Sequence, residues 1–289
     1  MLIINLILGT LLFAVLGGAI GCFLAGIDRK LTAKLQGRVG PSILQPYYDV
    51  RKLLEKDNVS LNGAEGVYVT CALVFTCVAG GIFFTGENML LSVFVLTLAS
   101  LFFILASYCT RSPYAETGGA REILQIMAEE PMSLFIVVVF FMATGSFETS
   151  VVAWLDTPAI ATSWVAFLGF LFILTIKMRK SPFDLSTATH AHQELVRGTT
   201  TEMSGKTLAK VEVMHWLENV LSLGWVGVFF LWSNPVSIVV AIVAAAIAFI
   251  LEILIDNNFA RVKWQAMLKS AWVVALVAGG LNICFLAFI

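Results

Sequence analysis

Long apolar runs recur along this chain and limit its fold more than any other feature of the sequence. A helix needs about 20 predominantly apolar residues to cross the hydrocarbon core of a bilayer. Lipid offers a peptide group no hydrogen-bond partner, so runs of this length must be α-helical. The sequence therefore predicts an all-α integral membrane protein, with residues 1–289 forming a single polytopic domain. About eight runs approach or reach the required length: Ile3–Ala25, Val67–Thr85, Met89–Tyr108, Met132–Phe147, Ile160–Met178, His215–Trp232, Val236–Ile255 and Ala271–Ile289.

The overall composition supports a membrane protein and excludes several other classes. Only 13% of the residues are charged, against roughly 25% in soluble domains. The mean hydropathy is +0.90. A net charge of -1 provides neither a basic surface for nucleic acid nor an acidic tail. The expected surroundings are therefore a lipid bilayer and other proteins.

The distribution of lysine and arginine predicts which ends of the helices meet the cytoplasm. Basic residues stay on the cytoplasmic side of membrane proteins. With eight spans, all 18 Lys and Arg residues fall on one side. The sequence therefore predicts a protein of the cell membrane with long polar loops in the cytoplasm and both termini outside. The polar loops are Gly26–Gly66, Cys109–Pro131, Arg179–Met214 and Asp256–Ser270, with Lys177 at a helix end.

The cysteines and the N-terminal run carry no sign of a cofactor or of a cleaved signal. Four of the five cysteines lie within apolar runs, and no CxxC motif occurs. Ligands of iron–sulfur clusters normally lie close together in sequence, so we expect no cluster in this chain. Met1–Ala25 has no basic segment at its start, which predicts a retained helix.

The segment Ser181–Gly205 is a polar island between two apolar runs, and an ordinary loop does not need so many ionisable groups. We interpret it as a segment that contacts a partner or a proton path. His190 and His192 lack a third metal ligand at the usual spacing, which favours a hydrogen-bonded or proton-relay role over a metal site. The ionisable residues of the island are Asp184, His190, His192, Glu194, Arg197 and Glu202.

The second polar loop contains a helical face that ends at a pair of acids. Arg121, Gln125 and Glu129 recur at i, i+4 and i+8, so they share one face of a helix. Glu130 follows directly, and Pro131 precedes the fourth span. Two adjacent carboxylates repel each other, so one is expected to hold a proton. The alternative is that the pair caps a helix N-terminus, where the helix dipole favours acids.

A third group of ionisable residues leads into the sixth span. Glu212, His215 and Glu218 recur at i, i+3 and i+6. Ionisable groups at membrane depth commonly mark ion pathways, which predicts a hydrated relay. The alternative is a structural ion pair with Lys210 or Arg179.

The first polar loop contains helix-start signals followed by mixed charged and apolar residues. A short amphipathic helix at the membrane interface is predicted after Pro46. We expect Arg38, Gln45 and Asp49 to dock a soluble partner, and Arg38 can bind a carboxylate through two donors. The alternative is a solvated charge run that is attracted to anionic lipids.

These three loops resemble the H-type membrane subunit of NADH–quinone oxidoreductase (complex I) and its relatives in membrane-bound energy-converting nickel–iron hydrogenases. The resemblance covers most of the chain, and it implies an eight-helix fold. The matching residues are Gln36–Pro41, Leu44–Pro46, Asp49 and Lys52–Leu53 in the first loop, Arg121, Gln125 and Glu130 in the second, and Pro182–Leu185, Glu194–Val196, Gly198 and Glu202 in the third.

Two departures from the pattern are similar to the Ech-type hydrogenase branch. The stretch between Pro41 and Leu44 is several residues shorter than in the quinone enzymes. Thr187 and Thr189 replace the acidic pair that usually follows the Pro-Phe-Asp motif, and the segment His190–Gln193 comes next. The resemblance therefore implies the hydrogenase branch and puts quinone binding in doubt.

The hydrogenase branch implies a non-redox subunit that anchors the complex and couples its reaction to the membrane. Ferredoxin-dependent hydrogen evolution, or the reverse, would be linked to translocation of protons or sodium ions. The implied partners are the hydrogenase large and small subunits, an iron–sulfur subunit and an antiporter-like membrane subunit. The nickel–iron and iron–sulfur centres would lie in those partners, with Glu130, Glu202 and Glu218, supported by Glu129, in the coupling path. The alternatives are the H-type membrane subunit of a quinone-reducing complex I and a stand-alone ion transporter.

Overall fold

The computed structural model describes residues 2–59, 62–187 and 194–288, and the described chain is built from helices. His190 and His192 lie outside the described residues. A single-turn 3-10 helix at Gly198–Thr200 follows the gap. The α-helices are α1 (Leu2–Leu35), α2 (Gln45–Glu55), α3 (Gly63–Phe84), α4 (Met89–Cys109), α5 (Pro113–Thr144), α6 (Thr149–Ala153), α7 (Ile160–Lys177), α8 (Gly205–Val228), α9 (Val236–Asn258), α10 (Trp264–Val274) and α11 (Gly280–Ala287).

In the part of the chain that the structure describes, seven helical segments are long and apolar enough to cross a membrane: α1, α3, α4, α5, α7, α9 and the continuous stretch Trp264–Ala287. The remaining expected span, the sixth, corresponds to α8, which has 24 residues but carries Glu212, His215 and Glu218. It packs against α1, α3 and α9, so its polar groups face other helices more than lipid. The prediction of an all-α, multi-pass membrane protein is confirmed, with seven spans by length and composition and α8 as an ionisable helix among them.

Several helices extend well beyond the apolar runs that predicted them. Most of the segment Cys109–Pro131, expected as a loop, belongs to α5, and Pro131 lies inside that helix. Helix α1 continues to Leu35, and α8 begins at Gly205. The apolar runs underestimated the lengths of these helices because hydropathy shows only where lipid can surround a helix. A helix can continue beyond that region as long as its polar residues find water or protein partners.

The connections sort to two opposite ends of the bundle. At one end, short turns bond to each other, with the Met89 N–H donating to the Phe147 carbonyl at 2.8 Å and the Ile160 N–H to the Phe229 carbonyl at 2.9 Å. At the other end, which we call the charged end, the polar loops meet and Lys180 bonds to Asp28 at 2.5 Å. This grouping agrees with the predicted loop pattern, while the orientation of the two ends in the membrane stays a prediction.

Helix α7 is broken near its start, and a side chain from α11 supplies the hydrogen bonds there. Ser163 has non-helical angles of φ -119 and ψ 25. Asn282 is only 1% exposed. Its Oδ1 accepts from the Ala166 N–H at 3.0 Å, and its Nδ2 donates to the Thr162 carbonyl at 3.0 Å. A kink at membrane depth needs such substitute partners, because lipid cannot provide them.

Candidate functional site

Arg179 lies at the centre of a buried charge cluster at the charged end. Its Nη2 lies 2.8 Å from Glu122 of α5 and 3.4 Å from Glu218 of α8. The Arg179 side chain is 14% exposed and that of Glu122 only 1%. Burial alone would lower the pKa of Arg179, but the charges of Glu122 and Glu218 raise it above its ordinary value. The guanidinium therefore remains a cation that balances two interior carboxylates.

Three further groups join this cluster to the third polar loop and to the middle of α8. The hydroxyl of Ser186 donates to Glu122. The Thr187 hydroxyl accepts from Arg179 at 3.2 Å. His215 Nδ1 lies 3.1 Å from Glu218 Oε2. A single hydrogen-bonded network thus joins α5, α8 and the residues before the gap at 188–193.

A polar cavity of about 550 Å³ lies beside the cluster. It is far larger than the ~15 Å³ that one water molecule requires, and polar groups line it, so it is suited to hold several waters. Lys180 stands on its wall between Asp28 at 2.5 Å and Asp256 at 3.7 Å. Its ionisable lining residues are Asp28, Arg29, Asp49, Arg179, Lys180, Arg197, Glu212, His215 and Asp256.

The adjacent acids Glu129 and Glu130 lie at a second, much smaller chamber between α4, α5 and the end of α7. Its volume is about 20 Å³, enough for roughly one water molecule. Glu130 accepts a hydrogen bond from Thr97. Glu129 Oε2 is buried without a hydrogen-bond partner in the described part of the chain, and Lys177 lines the same chamber. Because α5 starts far earlier, at Pro113, the alternative that the two acids cap a helix N-terminus is wrong.

The helical face predicted on α5 divides between two neighbourhoods. Gln125 is buried and donates to the Ile176 carbonyl of α7 at 3.4 Å. Arg121 instead binds the third polar loop, with Nη2 at 2.7 Å from Glu194 and Nη1 at 3.6 Å from Asp184. Its guanidinium also lies 4.9 Å from the centre of the Trp264 ring. Arg121 therefore holds the loop against the bundle and is separate from Glu129.

The pKa values of Asp184 and Glu194, two acids of the third polar loop, shift in opposite directions. The hydrogen bond from Arg121 lowers the pKa of Glu194. Burial raises the pKa of Asp184, and the neighbouring charge of Glu194 raises it further. The pair therefore favours one ionised and one more readily protonated carboxyl beside a single arginine.

The predicted docking residues of the first loop fall into two groups. Asp49 accepts from Arg29 at 2.5 Å and from Gln45 at 2.8 Å, and it lines the large cavity. Arg38 is exposed and donates to Gln36 at 3.1 Å. Asp49 therefore fastens α2 to α1, and Gln45 of the same helix supports its carboxylate, whereas Arg38 lies on the surface.

Acidification is expected to loosen α2 through Asp49. Burial would raise the pKa of Asp49, but hydrogen bonds from Arg29 and Gln45 lower it below its ordinary value. The ion pair is therefore fully present above pH ~4 and is lost as the pH falls through the lowered pKa. The side chains of Arg29 and Asp49 are each 42% exposed, so we expect this ion pair to stabilise the attachment of α2 by no more than about 1 kcal/mol. Hydrogen exchange of the α2 amides should show this acid-dependent loss of protection in the natural protein and not in Asp49→Asn.

Glu202 and Glu212 are brought to different places. Glu212 lines the large cavity. Glu202 interacts electrostatically with Glu65 of α3, whose two carboxylate oxygens are buried without hydrogen-bond partners in the described ranges. Lys210, an expected ion-pair partner, donates to Thr70 at 2.7 Å instead. For Glu218, the structure shows the ion pair with Arg179 that was one of the two alternatives.

The most important residue that sequence reasoning missed is Glu122. It precedes Gln125 and Glu129 by three and seven positions, and this spacing places all three on one helix face. That face could have been recognised from the spacing, but the predicted pattern started at Arg121 and so left out Glu122. Asp28 and Lys180 were missed as well, and Asp256 was expected to pair with Arg261, because these residues come from distant segments that only the fold brings together.

No group of three or more His, Cys, Asp or Glu residues able to hold a metal occurs within residues 2–59, 62–187 and 194–288. The cysteines that the structure describes are free thiols.

The helices and the enclosed acids and bases define a multi-pass membrane protein with an ionisable interior. The model of the NADH dehydrogenase family matches residues 7–287. The chain belongs to that family, and the resemblance expected from the loop motifs is confirmed.

Known relatives come from both branches that the sequence suggested. The chain is 29% identical to formate hydrogenlyase subunit 4 of Escherichia coli, with 94% of each chain covered. It is 26% identical to hydrogenase-4 component C of the same organism, covering 86% of this chain and 85% of the relative. It is 27% identical to an H-type membrane subunit of the NADH-quinone oxidoreductase of Syntrophobacter fumaroxidans, covering 91% and 89%.

A solved structure shares the fold. A chain of the archaeal membrane-bound sulfane sulfur reductase superposes with a TM-score of 0.83, covering 96% of this chain and 99% of that one, at 21% identity. At this level of identity the likeness establishes the arrangement of helices.

Proposed function

We propose that this chain is the membrane-anchoring and coupling subunit of an energy-converting nickel–iron hydrogenase. The observation that carries the proposal is the buried network of Glu122, Arg179 and Glu218, which lines the polar cavity through Arg179 and interacts electrostatically with Glu129 at the small chamber. Relatives named formate hydrogenlyase and hydrogenase-4 support the hydrogenase branch.

The geometry supports coupling by electrostatics. Added negative charge at the cavity would favour proton uptake by His215 or Glu212, because interior charges interact strongly where little water screens them. A proton on His215 would draw Glu218 toward it and weaken the hold of Glu218 on Arg179. The weaker pairing of Arg179 with Glu218 would then change the electrostatic interaction between Arg179 and Glu129. Glu130 and Thr97 would pass the response to a neighbouring membrane subunit.

The branch assignment is also supported at the third polar loop. The family resemblance implies an acid near position 187 in the quinone enzymes, whereas here the Thr187 hydroxyl accepts from Arg179. A third carboxylate on Arg179 is thereby avoided, which leaves the cluster with two acids for one cation. Arg121, Asp184 and Glu194 would present the loop to the hydrogenase large and small subunits and the iron–sulfur subunit, which would hold the redox centres. An antiporter-like subunit would pack against the membrane helices, with both termini of this chain on the outer side.

The second candidate is the H-type membrane subunit of a quinone-reducing complex I. The 27% identical relative from an NADH-quinone oxidoreductase favours it, and so does a cavity of about 550 Å³ at the charged end. In that case the cavity would hold a quinone headgroup and the same acids would respond to its reduction.

Purification of the membrane complex through a tag on this chain tests the proposal. We expect nickel in the complex and hydrogen evolution from reduced ferredoxin, coupled to ion uptake in inverted vesicles. A complex without nickel or hydrogen activity would reject the hydrogenase assignment, and turnover blocked by a quinone-site inhibitor would favour the second candidate. Full ion transport by the isolated chain in liposomes would support a stand-alone transporter.

Replacement of Glu130 by glutamine should reduce ion uptake several-fold while the complex still assembles. The amide keeps the contact with Thr97 but cannot exchange a proton. Ion uptake and hydrogen evolution are measured in parallel with the amount of purified complex. The matched control is Glu148→Gln, an exposed glutamate at the opposite end of the bundle, which should leave both unchanged. Equal loss of uptake and of assembly in Glu130→Gln would indicate a structural role.

A further inference from the structure

A groove of about 230 Å³ lies between α2 and α8 at the charged end, apart from the buried charge cluster. Its floor is apolar and is formed by Val50 and Leu53 of α2 and Trp216 of α8. Val50 and Trp216 belong to the same small core that fastens α2 to the bundle. The floor is therefore packed into the fold, and it gives the groove an apolar base under a polar rim.

The rim carries an excess of positive charge. Lys52, Lys56 and Arg197 line it, and none of them forms an ion pair with a residue in the described part of the chain. Arg29 also reaches the groove but is already paired with Asp49 at 2.5 Å. Glu212 is the remaining acid of the lining. Three cations thus face one carboxylate, which suits an anionic ligand.

The outer side of α2 indicates the depth at which the groove opens. Tyr47, Tyr48 and Leu54 are each about half exposed on this amphipathic helix. Tyrosines are enriched at membrane–water interfaces, and helices of this kind lie in the interface with their apolar residues toward the acyl chains. The groove therefore opens at the level of the lipid headgroups.

We propose that this groove binds the headgroup of an anionic phospholipid. Arg197 can bind the phosphate through two donors, and Lys52 and Lys56 add point charges. The glycerol and the first methylene groups would lie on Val50, Leu53 and Trp216. Basic pockets between membrane helices on the cytoplasmic side commonly bind such lipids. The apolar floor favours a lipid over an acidic protein segment, which would gain only from the rim.

A bound headgroup would also cover a route into the large cavity. The groove and the cavity share Arg29, Asp49, Arg197, Glu212 and Trp216 in their linings. The lipid would therefore limit exchange of water between the cavity and the cytoplasmic surface beside α2. This role is independent of which redox reaction the complex performs.

Lipid titration of the purified, delipidated full-length protein tests the proposal. Binding of phosphatidylglycerol and phosphatidylcholine is followed by native mass spectrometry for the natural protein and two triple variants. We expect Lys52→Gln, Lys56→Gln, Arg197→Gln to bind phosphatidylglycerol at least tenfold more weakly. The matched control Lys34→Gln, Lys206→Gln, Lys269→Gln removes the same charge from exposed positions outside the groove and should bind as the natural protein does. Phosphatidylcholine should bind weakly to all three.

Three outcomes would overturn the proposal. Equal weakening in both triple variants would mean that the charged end attracts lipid without a site. Displacement of phosphatidylglycerol by millimolar inorganic phosphate would indicate a site for free anions. An acidic partner segment would be indicated by two results together. A polyglutamate peptide would displace the lipid from the natural protein but not from the groove variant, and the natural protein would bind phosphatidylglycerol no more tightly than phosphatidylcholine. Should the groove variant fail to fold, Lys56→Glu alone, at the exposed end of α2, is expected to weaken phosphatidylglycerol binding in the same direction.

Discussion

Replacement of Arg179 by methionine is expected to lower the free energy of unfolding by about 3–5 kcal/mol. Methionine keeps much of the side-chain volume but removes the only positive charge that lies within salt-bridge distance of both Glu122 and Glu218 in the described chain. Removal of one partner from a buried ion pair leaves the other charges without compensation in a medium of low dielectric constant. The uncompensated charge costs most at Glu122, because its side chain is only 1% exposed to solvent.

Unfolding of the purified protein in detergent measures this loss. Arg51→Met is the matched control, because Arg51 forms an exposed pair with Glu55 at 3.2 Å and should cost less than about 1 kcal/mol. The double variant Arg179→Met, Glu122→Gln should recover a large part of the loss, since it removes one of the stranded charges. A cost for Arg179→Met no larger than that for Arg51→Met would show that Arg179 does not neutralise the interior acids.

The membrane fold could be predicted from sequence because a bilayer imposes a rule on composition. An apolar run such as Met89–Tyr108 can only be a membrane-spanning helix, and the corresponding helix α4 ends one residue later, at Cys109. The rule fails where protein replaces lipid around a helix. Helix α8 carries Glu212, His215 and Glu218 into the bundle, and α5 passes through Pro131 without ending. Neither feature is encoded in hydropathy, since both depend on which neighbours satisfy the polar groups.

The candidate site could be predicted in part. The sequence showed which ionisable residues belong to it, but not which of them contact each other. The spacing of Glu212, His215 and Glu218 placed ionisable groups on α8, and the structure brings His215 and Glu218 into contact at 3.1 Å. The counter-charge of Glu218, Arg179, lies on a different segment, with a left-handed φ of 56 just after α7. A single sequence shows periodicity within one helix. It does not show which loop supplies the cation, because that choice is made by tertiary packing.

The third polar loop depends on a close approach of two backbones that side chains alone do not reveal. A Cβ atom added to Gly118 of α5 would lie 2.3 Å from the carbonyl carbon of Gly198. The same loop is held by the Gly198 N–H, which donates to the Ser186 carbonyl at 2.9 Å. Ser186 in turn donates to Glu122. The Gly118–Gly198 contact therefore sets the distance between the loop and the buried charge cluster.

We expect Gly118→Ala to destabilise the protein by about 1–3 kcal/mol and to reduce assembly of the complex, because a backbone atom cannot move aside as a flexible side chain can. The added methyl would push the loop from α5, which would break the contact of Ser186 with Glu122 and weaken the pair of Arg121 and Glu194. Gly119→Ala is the matched control on the same helix, since the nearest neighbours of its Cβ would be side-chain atoms, the Ser107 hydroxyl at 3.3 Å and the edge of the Tyr108 ring at 3.4 Å. Both changes gain the same helix propensity, so their difference isolates the steric effect. Unfolding in detergent and the yield of complex are measured for both variants, and equal behaviour of the two would show that the loop does not rest on Gly118.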